Sequence, residues 1–176
     1  MAITRLNTNA FGTSVNLASN VTGTLPAANG GTGATSFSPG KVLQVVQAET
    51  NTEVANSSTS YADTGLTASI TPSSTSNKIL ILVQQAYEIE DTGGTSGANF
   101  QIMRDSTSIY KNGPSFSIYI DSNREFNSYP MNYLDSPSTT SSVTYKTQSR
   151  NYQSGDNIRA QASGADSSIT LLEIAG

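Results

Sequence analysis

The sequence predicts an all-β fold in which an extended N-terminal stem (residues 1–39) precedes a jelly-roll-like antiparallel β-sandwich head (residues 40–176). Ser and Thr together fill 49 of the 176 positions, and only 12% of the residues are charged, about half of the usual share. The apolar residues of the head fall in short β-branched runs that are separated by polar turns. No segment shows the 3.6-residue period of a helix. These features indicate many short strands.

The stem cannot form regular secondary structure by itself. No helix tolerates its density of glycine and proline, and no strand longer than a few residues fits between these breakers. The breakers are Gly23, Pro26, Gly30, Gly31, Gly33 and Pro39. Ordering each residue costs about 1–2 kcal/mol of conformational entropy, which one such chain does not offset. The stem is therefore either a flexible linker or a segment ordered by other copies of itself.

The spacing of the apolar stem residues favours packing between copies. Val15, Leu17, Val21 and Leu25 recur every two to four residues with small residues between them, which suits chains wound about a common axis. A fibre of single chains joined end to end would expose long sheet edges, whereas a closed ring of copies does not. We therefore expect a homotrimer, with a dimer or a monomer as the alternatives.

One run of the stem resembles a known element. Residues 17–33, Leu17-Ala-Ser-Asn-Val-Thr-Gly-Thr-Leu-Pro-Ala-Ala-Asn-Gly-Gly-Thr-Gly, resemble a segment of the tail fibres and related virion fibres of bacteriophages. In such fibres the segment lies in or beside an intertwined trimeric shaft. The resemblance bears on the stem and not on the head. It implies a virion protein whose N-terminal residues attach it to a tail, a baseplate or a capsid.

The first half of the head is predicted to contain three strands. Lys41–Glu49 combines alternation with a central apolar pair, and a Ser/Thr-rich connection (Asn51–Gly65) follows it. Leu66–Ile70 is a short strand that Thr71 and Pro72 terminate. Lys78–Ile89 is the strongest strand and is expected to be central. Its first half is apolar on both faces, which is typical of a buried sandwich strand, and its second half alternates.

The next three segments are predicted strands with polar turns between them. Ala98–Arg104 alternates and places Phe100 and Ile102 on one face. Ser106–Tyr110 follows a turn at Asp105. Ser115–Ile120 alternates and places three apolar side chains together, which are Phe116, Ile118 and Ile120.

Four further segments complete the head. Glu125–Leu134 contains Pro130, so it is an edge strand or a loop. In Ser142–Arg150 one face carries Val143, Tyr145 and Thr147. Asn157–Ala162 follows a turn at residues 154–156. Ser168–Ile174 contains the adjacent pair Leu171 and Leu172, so the strand has an apolar side chain on each face and both faces are expected to be buried. One face suits the core, and the other suits a neighbouring subunit or a covering loop.

The head also resembles a known domain. Residues 61–81 (YADTGLTASITPSSTSNKILI) and the terminal run from Ser168 to Ile174 (SITLLEI) resemble a head domain of phage structural proteins from marine and freshwater viruses. This resemblance implies a compact trimeric β-sandwich, similar in outline to the heads of tumour necrosis factor and C1q.

An aromatic cluster marks a candidate receptor-contact region. Six aromatic residues fall within residues 110–133: Tyr110, Phe116, Tyr119, Phe126, Tyr129 and Tyr133. Tyrosine offers contact area at low entropic cost, and sugars stack on such rings while nearby polar groups supply hydrogen bonds. The candidate contacts are Tyr119, Asn123, Arg124, Asn127, Tyr129 and Tyr133. In the structural alternative, the phenylalanines serve the core and the tyrosines cover sheet edges or the subunit seam. That alternative is favoured for Phe116 and Phe126 and stays open for the tyrosines.

Catalytic and metal chemistry have little support in the sequence. His, Cys and Trp are all absent, which removes the commonest general base, the thiolate nucleophile and one common sugar platform. Glu88 and Glu90 share one face of a strand, so they form the carboxylate pair that a glycosidase would need. Asp121–Glu125 lacks the glycine of an EF-hand loop, since Phe126 holds that place. We expect no enzyme, no cofactor and no metal site.

Charge and hydropathy limit the partners. The net charge of −4 and the pI of about 4.6 disfavour nucleic acid. The longest apolar run, Ile79–Val83, is too short for membrane insertion, and the first residues lack the apolar region of a signal peptide. We expect a virion protein made in the host cytoplasm, a short tail fibre or spike subunit that recognises the host surface, with a surface glycan as a candidate ligand. A capsid-bound head fibre or decoration protein is the alternative, since the stem is short, and a carbohydrate-degrading tailspike is a third.

Overall fold

The computed structural model describes residues 41–90, 93, 96–113, 117–120 and 124–176. The predicted stem, including Val15, Leu17, Val21 and Leu25, lies outside the described residues. So do Phe116 and Asn123, and the predictions made for all of these residues stay predictions.

Eleven strands form within the described residues, with no α-helix among them. The strands are β1 (Val42–Thr50), β2 (Val54–Asn56), β3 (Ala62–Ile70), β4 (Lys78–Glu90), β5 (Ser96–Arg104), β6 (Thr107–Lys111), β7 (Ile118–Ile120), β8 (Arg124–Asp135), β9 (Val143–Asn151), β10 (Asn157–Ala160) and β11 (Ser167–Ile174). A single 3-10 turn, Ala162–Gly164, follows β10.

The strands pair antiparallel in two sheets, which we call the β4 sheet and the β5 sheet. In the β4 sheet, β8 pairs with β4 along its length, while β11 and β10 share the other side of β4 and pair in turn with β1 and β2. The β5 sheet has the order β3-β9-β5-β6, and β7 also pairs with β5. The order β1-β11-β4-β8 facing β3-β9-β5-β7 is that of a jelly roll. The predicted all-β antiparallel sandwich of the head is therefore confirmed, while the stem and the trimer stay predictions.

The core lies between the two sheets and takes alternate residues from each strand. The predicted inward faces are confirmed for β5 by Phe100 and Ile102 and for β9 by Val143 and Tyr145, all of which are buried. Ile118 and Ile120 of β7 are buried as predicted. Burying one such side chain stabilises the fold by roughly 1.5–3 kcal/mol, so these faces fix the register of every strand.

The two halves of β4 differ from the prediction. In the first half, Ile79 and Ile81 are buried, but Leu82 on the outer face is 42% exposed. The second half is buried on both faces. The reason is that polar groups cover both faces. On the outer face Arg124 and Arg159 surround Glu88, and on the inner face Ser167 Oγ accepts hydrogen bonds from Gln85 Nε2 and from the backbone N–H of Ala86. The spacing of apolar residues in the sequence does not show that polar side chains from other strands bury this part of β4.

The predicted connection Asn51–Gly65 is partly wrong, because it contains β2 and the start of β3. Gly65 was expected to end the connection, but it lies inside β3 with φ +85°, where the register of β3 against β9 shifts. Glycine is thus the bulge residue of a continuous strand. The bulge directs Thr64 inward, where its hydroxyl lies 2.5 Å from that of Thr147.

Of the two alternatives for the segment that contains Pro130, the structure shows the edge strand. Among the described strands, β8 pairs with β4 alone, so Pro130 needs no partner for an N–H group on the open side.

A buried carboxylate ties the C-terminal strand to the β3–β4 turn. Glu173 is 1% exposed and accepts hydrogen bonds from Asn77 Nδ2 at 2.5 Å, Ser73 N at 2.6 Å and Gln44 Nε2 at 2.7 Å. Burial alone would raise the pKa of Glu173, but the hydrogen bonds from Asn77, Ser73 and Gln44 lower it to about 2. The ionised form is therefore the form that the fold stabilises.

We predict that Glu173→Gln lowers the free energy of unfolding by up to about 3 kcal/mol at pH 7, because the depressed pKa represents that much stabilisation of the carboxylate. Since the folded-state pKa lies below the unfolded value of 4.5, this stability is present above about pH 4.5 and is lost as the pH falls toward 2. Urea unfolding at pH 7, 4 and 2.5 measures it. Glu49→Gln, at an exposed position, is the control. Equal stability of the Glu173→Gln variant and the wild type at pH 7 would contradict this assignment.

Candidate functional site

Glu88 and Glu90, the carboxylates that the sequence singles out, lie between two arginines. Arg124 Nε is 2.5 Å from Glu88 Oε1, and Arg124 Nη2 is 3.4 Å from Glu90 Oε1. Arg159 contacts the same two residues at 3.3 and 2.7 Å. The side chain of Glu88 is only 3% exposed. The carboxylate oxygens are thus engaged by guanidinium groups instead of being directed at a substrate, and the cluster is an ion-pair network.

The structure does not bring the predicted receptor-contact residues together. Arg124 belongs to the ion-pair network on the outer face of the β4 sheet, with its guanidinium 5.7 Å from the ring centre of Phe126. Phe126 was expected to serve the core, but it is 54% exposed, because its position in β8 faces outward opposite Glu88. Asn127 is exposed and bonds to Glu125.

Tyr129 and Tyr133 are half-buried at the open β8 edge of the sandwich and pack against the core. The ring centre of Tyr129 lies 5.8 Å from that of Phe100, and the ring centre of Tyr133 lies 5.8 Å from that of Tyr110. Both rings thus cover the open edge of the sandwich, as the structural alternative expects, and their role in receptor contact stays a prediction.

Tyr119 occupies a different surface, the outer face of the β5 sheet, where a second tyrosine lies near it. In the register of β7 against β5, Tyr119 is opposite Gly97. Tyr152, which follows β9 directly, donates its backbone N–H to the carbonyl of the same glycine at 2.9 Å. Tyr119 and Tyr152 are 52% and 46% exposed. Because neighbouring strands lie about 4.8 Å apart, the two tyrosines flank Gly97 with backbones about 10 Å apart.

A third tyrosine on this face is held between two cations. The ring centre of Tyr61 lies 5.0 Å from Arg150 Cζ and 5.8 Å from Lys111 Nζ. Burial raises the pKa of Tyr61, although the charge of Arg150 opposes the shift. The phenol therefore keeps its proton at neutral pH and can donate a hydrogen bond.

Amide side chains bond to one another across this sheet. Asn99 lies opposite Arg150 in the sheet register, and its Nδ2 donates to Asn112 Oδ1 at 3.3 Å. In the adjacent part of the sheet, Gln101 Nε2 donates to Gln148 Oε1 at 2.5 Å. Asn99 and Gln101 are buried, so these amide hydrogen bonds hold the strands under the tyrosines in place and are not directed at a ligand.

The charge on this face is positive among the described residues. Three cations, Lys111, Lys146 and Arg150, accompany one carboxylate, Asp63, although the whole chain carries −4. Burial alone would raise the pKa of Asp63, but hydrogen bonds from Lys146 and Gln148 lower it, so Asp63 is ionised and offsets one of these cations. We call this surface the tyrosine face and define it by Tyr61, Lys111, Tyr119, Arg150 and Tyr152.

The sequence analysis included Tyr119 but missed Tyr61, Lys111, Arg150 and Tyr152. These residues are separated along the chain by as many as 91 positions, and only the pairing of β3, β9, β5, β6 and β7 brings them onto one surface. The aromatic density that guided the prediction is a local signal, and it favoured residues of β8 instead.

Other kinds of site are absent from the part of the chain that the structure describes. There, no three acidic side chains are grouped in a way that would hold a metal ion. The same residues contain no helix with the length and hydropathy needed to cross a membrane.

No family model matches this sequence, and no curated protein matches it either. Among solved structures, the chain is similar to the VP2 subviral particle of infectious bursal disease virus, at 11% identity and a TM-score of 0.42, over 76% of this chain and 39% of that one. It is also similar to the Gx strain structure of that virus, at 9% identity and a TM-score of 0.40, over 86% of this chain and 44% of that one. Dimeric latent PorU from Porphyromonas gingivalis gives 9% identity and a TM-score of 0.37, over 83% of this chain and 15% of that one. The chain thus spans less than half the length of each, and similarities at these TM-scores carry no argument about function.

We predict that the two arginines around Glu88 are coupled. Arg159→Ala alone leaves Arg124 in place and is expected to cost about 1 kcal/mol, whereas the double variant with Arg124→Ala leaves a buried carboxylate without a cation and is expected to cost about 3–5 kcal/mol. Urea unfolding of the single and double variants measures the coupling. Repeating the set in a Glu88→Gln background is the control, where the coupling should shrink. Additive small losses in both backgrounds would show that the cluster is not an ion-pair network.

Proposed function

We propose that this chain is a structural protein of a bacteriophage virion, the subunit of a short tail fibre or spike whose head contacts the host surface. In this proposal residues near the N-terminus attach the subunit to the particle, the stem holds three copies together, and the sandwich presents a binding surface. Residues 17–33, which resemble phage fibre stems, support the assignment to a virion. The chain acts as a binding and structural protein and not as an enzyme.

The tyrosine face is the observation that carries the recognition role. Two exposed tyrosines flank a glycine, and a third tyrosine with two cations lies beside them. Tyrosine rings pack against the apolar faces of sugar rings, and phenol and cationic groups supply hydrogen bonds to hydroxyl groups. The ligand class that fits this surface is a host surface glycan. The local positive charge favours sugars that carry carboxylate or phosphate groups.

A carbohydrate-degrading role has less support from the same structure. Its candidate carboxylates, Glu88 and Glu90, are held by Arg124 and Arg159, and they lie on the β4 sheet, on the opposite side of the sandwich from the tyrosine face. A glycan bound at the tyrosine face would therefore lie far from both carboxylates. Binding without cleavage is what this separation supports.

A capsid-bound head fibre or decoration protein is the second candidate. A stem of under 40 residues is short for a long tail fibre, and a short stem suits a subunit that stands directly on a capsid lattice. Both candidates give the head the same exposed position. They differ only in what the N-terminal residues bind.

We predict that Tyr119→Ala and Tyr152→Ala each weaken binding of the full-length protein to purified host surface polysaccharide by about tenfold, which corresponds to about 1.4 kcal/mol. Biolayer interferometry on immobilised polysaccharide measures the affinity. Phe126→Ala is the matched control, because Phe126 is equally exposed but lies on the other sheet. Equal binding by all variants, or release of reducing ends that Glu88→Gln abolishes, would contradict the proposed role.

The location in the particle is tested separately. Immunogold labelling of intact particles with antibodies raised against the head should label the tail in the first candidate and the capsid in the second. Particles purified to homogeneity that carry no label at either place would refute the assignment to a virion.

A further inference from the structure

An apolar row crosses the outer face of the β4 sheet. The strand registers align Val45 of β1 with Leu172 of β11, Leu172 with Leu80 of β4, and Leu80 with Leu134 of β8. Val45 is 58% and Leu134 49% exposed, while the two leucines between them are half-buried. The row therefore runs without a polar side chain from one edge of this sheet to the other.

The rows on both sides add further apolar side chains to this surface, together with polar ones. The adjacent row contains Leu82, which is 42% exposed, together with Gln47, Thr170 and Asn132. On the other side, Val42 lies in register with Ile174, and Ile174 lies in register with Lys78. Neither of the first two rows contains a charged side chain, and the nearest charges on this face, Glu49 and Lys78, lie in the rows beyond. An apolar centre with charges only around it is the composition of a protein–protein interface.

The outer face of the β5 sheet shows the opposite pattern. At the corresponding positions of β3 and β9 it exposes Asp63, Thr67, Ser69 and, partly, Lys146, and the side chains of these two strands bond to each other, as Ser69 does to Thr144 at 2.8 Å. If water covered both outer faces of the sandwich, we would expect polar side chains on both of them. Contiguous exposed apolar surface marks a contact site on soluble proteins, and among the described residues the large exposed aliphatic side chains all belong to the β4 sheet.

The position of β1 indicates what covers the apolar row. The described chain begins at Lys41, and β1 follows immediately as an edge of the β4 sheet. The 40 residues that precede Lys41 thus join the head at the strand that carries Val42, Leu43 and Val45. Copies of the chain that are held together by those preceding residues would be brought together first at this edge.

We propose that the outer face of the β4 sheet packs against other copies of this chain, with the assembly axis beside β1. The presence of three copies rests on the proposed function, whereas the choice of this face rests on the apolar row. The arrangement buries Val45, Leu172, Leu80 and Leu134 between subunits. Because the tyrosine face lies on the opposite sheet, the same arrangement turns it outward on every subunit.

The chain contains no cysteine, so single cysteines report the interface directly. Val45→Cys in the full-length protein should give a covalent pair of chains with a short bismaleimide at low protein concentration. Ser69→Cys, at an exposed position of the β5 sheet, is the matched control and should stay a single chain on a denaturing gel. The wild-type protein should show about three times the 18.4 kDa chain mass in sedimentation velocity.

A second variant tests the same face without a cross-link. Val45→Asp combined with Leu134→Asp places two charges in the apolar row at exposed positions that a folded monomer tolerates. We expect at least a tenfold weaker association of subunits with an unchanged circular dichroism spectrum, whereas Thr67→Asp leaves the association as it is.

The outcomes separate the two proposals. A three-chain mass in which Val45→Cys gives no cross-link, or in which the aspartate pair leaves the association unchanged, overturns this interface and leaves the proposed function standing. A single-chain mass for the wild type at micromolar concentration overturns the interface and also the trimer within the proposed function.

Discussion

The pairing of β4 on both of its edges fixes the position of the side chains in the β4 sheet. β8 pairs with β4 over twelve residues on one side, and β11 and β10 divide the other side between them. Since side chains alternate between the faces of a strand, this register sends Ile79, Ile81 and Ile89 into the core and Leu80 and Leu82 outward. A slip by one residue would exchange the two sets, placing Glu88 and Lys78 between the sheets, where nothing would neutralise them. The core, the ion-pair network and the apolar row all depend on this one alignment.

The same alignment gives the sandwich two unlike outer faces. The β4 sheet presents an aliphatic row, and the β5 sheet presents tyrosines, amides and cations. Each face suits one role: the aliphatic face gains by being removed from water, while the tyrosine face offers hydrogen bonds and rings that a hydrated sugar can use. Assembly through one sheet and recognition through the other need no change of shape in the subunit. In the proposed assembly each subunit around the axis would repeat the recognition surface, so that weak contacts to a repetitive glycan would add to one another.

The fold was more accessible to sequence analysis than the candidate site. The alternation of apolar and polar residues in β5, β7 and β9 predicted which side chains face the core, because this two-residue period can be read from neighbouring residues of the sequence. The bulge at Gly65 was missed, since a glycine inside a strand resembles a glycine that ends one. The buried second half of β4 was missed because Ser167, Arg124 and Arg159 cover it from distant parts of the chain. The candidate site is built entirely from residues that are far apart in the sequence. Tyr61, Tyr119 and Tyr152 share a face only after β3, β9, β5 and β7 have paired, and no local sequence pattern predicts this pairing. The proposals for Val15, Leu17, Val21, Leu25 and Asn123 concern residues outside the described ranges and stay predictions.

The central claim is that one sheet of the sandwich faces sister subunits while the other faces outward, and a cryo-electron microscopy map of the full-length assembly tests it most directly. The account predicts a symmetry axis beside β1, with Val45 and Leu172 in contact with a neighbouring subunit, and with Tyr119 and Tyr152 on the outer surface of every subunit. A map in which the β4 sheet faces solvent, or in which Tyr152 is buried between subunits, would contradict it.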